Sequence, residues 1–223
     1  MCKMHGFTLA ETLITLGIIG VVAALTLPIL IQNVQQKILI SRWKKVYAEL
    51  NQAFELAKTQ DNLEIYYNCT EFYCFQNVST LIIQKYIDKP KQIPEGTTAK
   101  EADYKTILGD KFTYFPTFHY GYSVKNMTFY TWSYAPASCT IYVDINGYKN
   151  KPNILGKDLF ALIINNDKMS PFGQYSVGDF CHGIGQYIGA GVQNITYDEN
   201  KRPIGIPNSN YAGLGCSYDY LYK

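Results

Sequence analysis

Charge is scarce in this chain. Asp, Glu, Lys and Arg make up 17% of its 223 residues, and the net charge is +2. A protein held to nucleic acid through phosphate contacts usually carries a concentrated basic patch, and nothing in this composition argues for one. The six cysteines, Cys2, Cys69, Cys74, Cys139, Cys181 and Cys216, include no C-x-x-C pair. That argues against a zinc ribbon or a thioredoxin-type redox site. No phosphate loop, dinucleotide fingerprint or His-Glu-x-x-His sequence occurs. The G-x-G pairs between Gly183 and Gly191 follow no clear strand and make no fingerprint. Cys181 and His182 are neighbours, a spacing that rarely lets thiol and imidazole meet as nucleophile and base. No internal repeat is visible.

What the chain does have is one long uncharged run. Residues 12–31 contain no charged side chain. Twenty helical residues rise ~30 Å, the thickness of a bilayer core. Pro28 lies inside the run and, lacking an N–H, is expected to kink the helix. The pattern then changes. Val34, Ile38, Trp43, Val46, Tyr47, Leu50, Phe54 and Ala57 recur mostly at spacings of three and four, with Lys37, Arg42, Lys44, Lys45, Glu49 and Lys58 between them. That is an amphipathic helix. With no stop before Thr59–Asn62, residues 7–60 are expected to form one helix ~80 Å long.

Three readings compete for this N-terminus. A secretory signal peptide would cleave near Ala24, but Glu11 would then stand inside its apolar region. A plain signal anchor is the second. The third rests on Lys3, Gly6, Phe7 and Glu11, followed by the apolar run and Pro28. This combination closely resembles the prepilin cleavage and methylation motif of type IV pilins and type II secretion pseudopilins. The resemblance implies removal of a leader, residues 1–6, by a prepilin peptidase between Gly6 and Phe7, and N-methylation of Phe7. It also implies that Glu11 serves assembly by meeting the terminal amine of a neighbouring subunit. Two charges that are each costly in lipid become tolerable as a pair. Against this, the basic cluster Lys37, Arg42, Lys44 and Lys45 follows the span, and the positive-inside rule alone would place the C-terminal part in the cytoplasm.

Beyond the helix, residues 61–223 are expected to form an extracytoplasmic globular domain. Asn77 is placed to cap a short helix over residues 78–87. Residues 89–111 read as loop with a helical turn. Residues 111–120, 127–135 and 139–145 are strand-like, and the apolar run 158–164 reads as a central strand. Residues from Ser176 onward give no clear pattern. The 20 tyrosines of the chain suit aromatic-rich strands. Helix first, then strands, gives an α+β fold, and the resemblance implies a long N-terminal helix packed on an antiparallel sheet.

One segment carries candidate chemistry. Asp144, Asn146, Asn153 and Asp158 are hard oxygen donors around a glycine turn, and calcium takes six to eight such ligands. The segment resembles the calcium-binding loop of some major pseudopilins. It lacks the twelfth-position Glu of an EF-hand, and Lys149 and Lys151 would repel a cation. The alternative is an Asn-Gly turn held by side-chain-to-backbone hydrogen bonds. For the cysteines, the expected pairs are Cys69–Cys74 and Cys181–Cys216, with Cys139 unpaired in a strand.

The sequence therefore points to a structural filament subunit rather than an enzyme. It is expected in the inner membrane as a single-pass protein, and in a filament after processing. Its expected partners are the prepilin peptidase, other pilin or pseudopilin subunits, an inner-membrane assembly platform and membrane lipid. Two alternatives stay open. One is a minor or competence pilin whose tip binds DNA or a surface. The other is a membrane-anchored extracytoplasmic enzyme.

Overall fold

The computed structural model describes residues 8–61, 78–94, 102–112, 120–134, 138–165, 168–174, 176–177, 181, 186–187 and 212–222. The chain divides into two units, Met1–Ile38 and Leu39–Lys223. The first helix, α1 (Leu9–Asp61), supplies residues to both and runs through Pro28.

In the first unit the apolar side chains have no core to enter. Leu13, Leu16, Ile19, Val22, Leu25 and Ile29 are all exposed. Among the described residues α1 is the one helix long and apolar enough to cross a membrane. Its threonines spend their hydroxyls locally. Thr12 Oγ1 donates to Leu9 O at 2.8 Å, Thr15 Oγ1 to Thr12 O at 3.0 Å, and Thr26 Oγ1 to Val22 O at 2.9 Å. Lipid offers such groups no partner, so this satisfaction within the helix suits a bilayer.

The second unit is built on a six-stranded antiparallel sheet with strands in sequence order: β1 (Lys91–Ile93), β2 (Tyr120–Val124), β3 (Met127–Tyr134), β4 (Ser138–Asp144), β5 (Leu159–Asn165) and β6 (Lys168–Pro171). A small pair, β7 (Ser176–Val177) and β8 (Gln186–Tyr187), stands apart in the topology. Trp43, Val46, Leu50, Ala53, Phe54 and Ala57 form the buried stripe of α1. They join Phe129, Ile141, Val143, Phe160, Leu162 and Ile164 in one apolar cluster. Each large side chain removed from water there contributes about 1.5–3 kcal/mol. Val34 and Ile38, expected on the same stripe, are exposed.

The opposite sheet face is covered too. Tyr130, Tyr142, Ala161 and Ile163 cluster with Tyr104, Phe112, Leu155 and Leu159. This is why residues 158–164 read as an unbroken apolar run: β5 is buried on both faces. A π-helical turn, α2 (Val78–Gln84), lies within the segment expected to be helical. Just after it, Lys85 pairs with Asp61 at the end of α1, and the Tyr86 hydroxyl donates to Asp61 Oδ2 at 2.7 Å.

The C-terminus forms a short helix, α3 (Cys216–Tyr222), where the sequence showed no pattern. Trp43 stacks on Phe160 with ring centres 4.7 Å apart, and its Nε1–H donates to Ser217 O at 2.9 Å. Ser217 Oγ in turn accepts the Ala161 N–H at 2.9 Å.

Two further expectations need correction. Lys91–Ile93 is a strand, not loop: it pairs with Ser123, Tyr122 and Gly121. Cys139 is buried in β4 as expected, but it is disulfide-bonded rather than a free thiol. Of the strand expected over residues 111–120, residues 113–119 lie outside the described residues, and Tyr120 opens β2.

Candidate functional site

Two groups of predicted site residues can be located. The first is at the start of α1. Thr8 precedes the helix, and its backbone N–H and hydroxyl both donate to Glu11 Oε2 at 2.8 Å. The Glu11 N–H returns a bond to Thr8 Oγ1 at 3.3 Å. This reciprocal arrangement is a capping box, which satisfies donors that a helix start leaves unpaired. The spacing Thr8-x-x-Glu11 is the sequence signal for it. Gly6 and Phe7, the expected cleavage and methylation positions, lie outside the described residues.

The second group lies between β4 and β5. Asp144 ends β4 fully buried. Its Oδ1 accepts the N–H groups of Asn146 at 3.2 Å and Gly147 at 2.8 Å, which folds the chain back in a tight turn. Gly147 sits at φ +85°, and a Cβ there would come within 2.7 Å of Asn126 O, so only glycine fits. Asp144 Oδ2 accepts the Tyr104 hydroxyl at 2.6 Å, and Tyr104 lies 3.1 Å from the Tyr130 hydroxyl. Asp158, also buried, accepts the N–H of Asn153 on Oδ2 and of Ile154 on Oδ1, each at 2.7 Å.

The structure thus brings Asp144, Asn146, Asn153 and Asp158 together. The turn reading is right about the local hydrogen bonds, but those bonds do not use up the acceptors. The amide nitrogens of the two asparagines are occupied: Asn146 Nδ2 donates to Asn150 O and Lys151 O, and Asn153 Nδ2 to Ala102 O and Tyr148 O. Their oxygens, Asn146 Oδ1 and Asn153 Oδ1, are buried without a partner. An orphaned acceptor costs about 1–3 kcal/mol.

The carboxylates are costly to keep charged here, chiefly because they are buried. Burial raises the pKa of Asp144 to about 7, with Tyr104 opposing and the charge of Asp158 adding to the rise. Burial also raises Asp158, against the two backbone N–H bonds and the nearby Asn146 amide. The Tyr104 phenol is pushed up by burial and then by Asp144. Two buried acids and two unpartnered amide oxygens are a donor set for a hard cation, of the kind calcium accepts. Among the described residues no set of three or more His, Cys, Asp or Glu side chains gathers, so the loop offers only two carboxylates to any ion.

This loop is tied to the C-terminus. A disulfide joins Cys181 and Cys216, the pair expected from the sequence. Gly156, at φ +78°, lies so close to the turn before α3 that a Cβ would meet Gly213 O at 2.4 Å and Cys216 Sγ at 2.7 Å. Lys105 N–H donates to Asn153 O at 3.0 Å, and Ile107 N–H to Ala212 O at 3.0 Å. The expected Cys69–Cys74 pair lies outside the described residues.

Residues 1–27 match the family described as the prokaryotic N-terminal methylation motif. This prepilin-type signature is typical of type IV pilins and pseudopilins. No curated protein and no solved structure matches the chain.

Proposed function

We propose that this chain is a structural subunit of a type II secretion pseudopilus or a type IV pilus. A prepilin peptidase removes residues 1–6, Phe7 is N-methylated, and the subunit enters a filament through α1 from an inner-membrane assembly platform. It performs no catalysis itself. The observation that carries this reading is the methylation motif running directly into exposed apolar helix. An apolar surface of that extent needs lipid or neighbouring copies to cover it. Glu11 has two roles in this account. In the single subunit its carboxylate caps α1 through Thr8. In the filament it meets the Phe7 amine of a neighbour and fixes axial register along a seam that is otherwise featureless packing. Glu11→Val tests this. Leader cleavage and membrane insertion proceed, while subunits fail to crosslink with neighbours or enter filaments. Normal polymerisation of the variant refutes the charge-pair role.

The second element of the proposal is structural calcium. Asp144, Asn146, Asn153 and Asp158 hold the ion, which neutralises the two buried acids and supplies the partner their amide neighbours lack. The ion would brace the loop against which the disulfide-closed C-terminus packs.

A further inference from the structure

The sheet face that carries Tyr130 and Tyr142 extends toward the β2–β3 turn, where it floors a pocket of about 240 Å³. Ile93, Ser123 and Thr128 lie on that face. Ser123 stands opposite Thr128 in register, while Ile93 and Tyr130 both stand opposite Gly121, two residues before Ser123. The β4–β5 loop adds Tyr148 and Lys149 to the lining, and the β2–β3 turn adds Lys125. The loop wall is fixed before anything binds. Asp144 Oδ1 holds the Gly147 N–H, Asn150 Nδ2 donates to Asn146 O at 2.6 Å, and the Asn150 N–H donates to Gly147 O at 2.8 Å. A pre-formed wall lowers the ordering cost of binding.

The pocket holds more donors than acceptors for them. Thr128 is 1% exposed and its Oγ1 accepts the Tyr148 N–H at 3.3 Å, yet its own hydroxyl proton has no acceptor among the described residues. The Ser123 hydroxyl makes no hydrogen bond among them either. The Lys149 ammonium is held 5.4 Å from the centre of the Tyr148 ring, with no carboxylate at ion-pair distance among the described residues. Lys125 has one acidic neighbour, Asp88 at 3.9 Å, and both side chains are mostly exposed, so the pair holds weakly. Lys125 also occupies φ +54°, where glycine or asparagine is the ordinary choice in a hairpin turn, and such an outlier points to use of the side chain. No carboxylate lines the pocket. Asp144, opposite Thr128 in register, is fully buried with both oxygens already bonded. Two ammonium groups and two hydroxyls with unspent protons call for an anion that also carries neutral acceptors. The Ile93 side chain and the Tyr148 ring add apolar surface for a C–H face. The volume lies below the roughly 300 Å³ at which sites for drug-sized ligands begin, so the ligand is small. A hexuronate combines one carboxylate, several hydroxyls and an apolar ring face at that size.

We propose that the pocket between the β2–β3 turn and the β4–β5 loop binds a hexuronate, free or at the end of an acidic glycan, with its carboxylate on Lys125 and Lys149 and its hydroxyls on Ser123 and Thr128. All of these residues belong to the second unit, and the inference stands apart from the filament and calcium readings. The test uses the full chain in micelles of a nonionic detergent, without added calcium. Saturation-transfer NMR reads the binding of glucuronate, glucose, acetate and a disaccharide ending in glucuronate. Glucuronate gives a saturable signal, and glucose and acetate bind more weakly, each lacking half of the recognised chemistry. Tighter binding of the disaccharide assigns the site to a glycan end, and equal or weaker binding assigns it to the free acid. Lys149→Gln weakens glucuronate binding about tenfold, the size expected when one hydrogen bond to a charged group is lost. Lys125→Gly weakens it too and leaves the melting temperature unchanged or higher, because glycine relieves the positive φ. Lys168→Gln removes an equal charge from β6, at the far edge of the sheet from β1, and leaves binding intact. The absence of a saturable glucuronate signal would overturn the proposal. So would a loss with Lys168→Gln equal to that with Lys149→Gln, which would mean diffuse charge. Displacement of glucuronate by acetate at equal concentration would identify a bare-anion site and overturn it as well.

Discussion

Leu16 and Leu50 sit in the same helix, one 66% exposed and the other fully buried. The backbone around each is the same, and so is the side chain. The difference lies in what surrounds them in sequence. Around Leu16 every face of the helix is apolar, so no face is favoured for a core. Around Leu50 the apolar residues form one stripe, and charged residues hold the remainder. A helix apolar on all sides must be buried by something outside the folded domain, whereas an amphipathic one buries itself against its own sheet. The two stretches of α1 therefore answer to different surroundings, the domain core for one and, under the function proposed above, lipid or neighbouring subunits for the other.

The strongest way to break this comparison acts at the leader. Gly6→Leu should abolish cleavage, because the motif needs a small residue there. The precursor should accumulate in the membrane with its globular domain folded. A filament built from uncleaved Gly6→Leu subunits would contradict the account. Next in size is a paired substitution within the helix. Trp43→Ala should destabilise the domain by about 3–5 kcal/mol, since it empties a fully buried site and strands the Ser217 carbonyl. Leu16→Ala should leave the domain's denaturation midpoint unchanged and show its effect only in subunit packing. Equal losses from both would erase the distinction between the stretches.

Much of this contrast was legible beforehand, and the reasons are physical. The span, the amphipathic stretch and strands β3, β4 and β5 announce themselves through runs long enough to show a period. The edges of the sheet do not. Lys91–Ile93 has only three residues and is flanked by Pro90 and Pro94, while β6 ends in Pro171. Proline marks a loop to any local reading, yet an edge strand tolerates it because one side of its backbone needs no partner. Helix α3 depends on tertiary support: the disulfide at Cys216, the Trp43 bond to Ser217 and the Tyr220 ring against Phe160. Cys139 was misjudged because pairing follows from which strands lie near each other, and spacing along the chain does not carry that. The four oxygen donors were nameable from sequence, but the two orphaned amide oxygens emerge only once the loop is closed.

The cysteines offer the next sharpening, confined to the second unit. Removing the Cys181–Cys216 bridge, which closes 35 residues, should cost ~3–4 kcal/mol by the chain-entropy model. The loss should appear in the melting of the globular domain and leave membrane insertion untouched. Non-reducing peptide maps of the mature chain should show Cys139 linked to Cys69 or Cys74, since cleavage after Gly6 discards Cys2. A free Cys139 thiol would contradict the fold described here.

The smallest effect expected is that of calcium. At a concentration about 100 times Kd, binding should stabilise the domain by ~2.7 kcal/mol, a rise of about 5–10 °C in melting temperature. Asp144→Ala should melt lower and gain nothing from the ion. An unchanged melting temperature in the parent protein would leave the turn bonds of Asp144 and Asp158 as the whole explanation of these residues.

The central claim is that the first stretch of α1 is made for processing and assembly, and the mature N-terminus tests it most directly. Intact-mass and N-terminal peptide spectra of the protein recovered from the membrane should show a chain that begins at Phe7 and carries one added methyl group on its amine. A chain beginning at Met1, or one cleaved near Leu25 as a secretory signal would be, would contradict it.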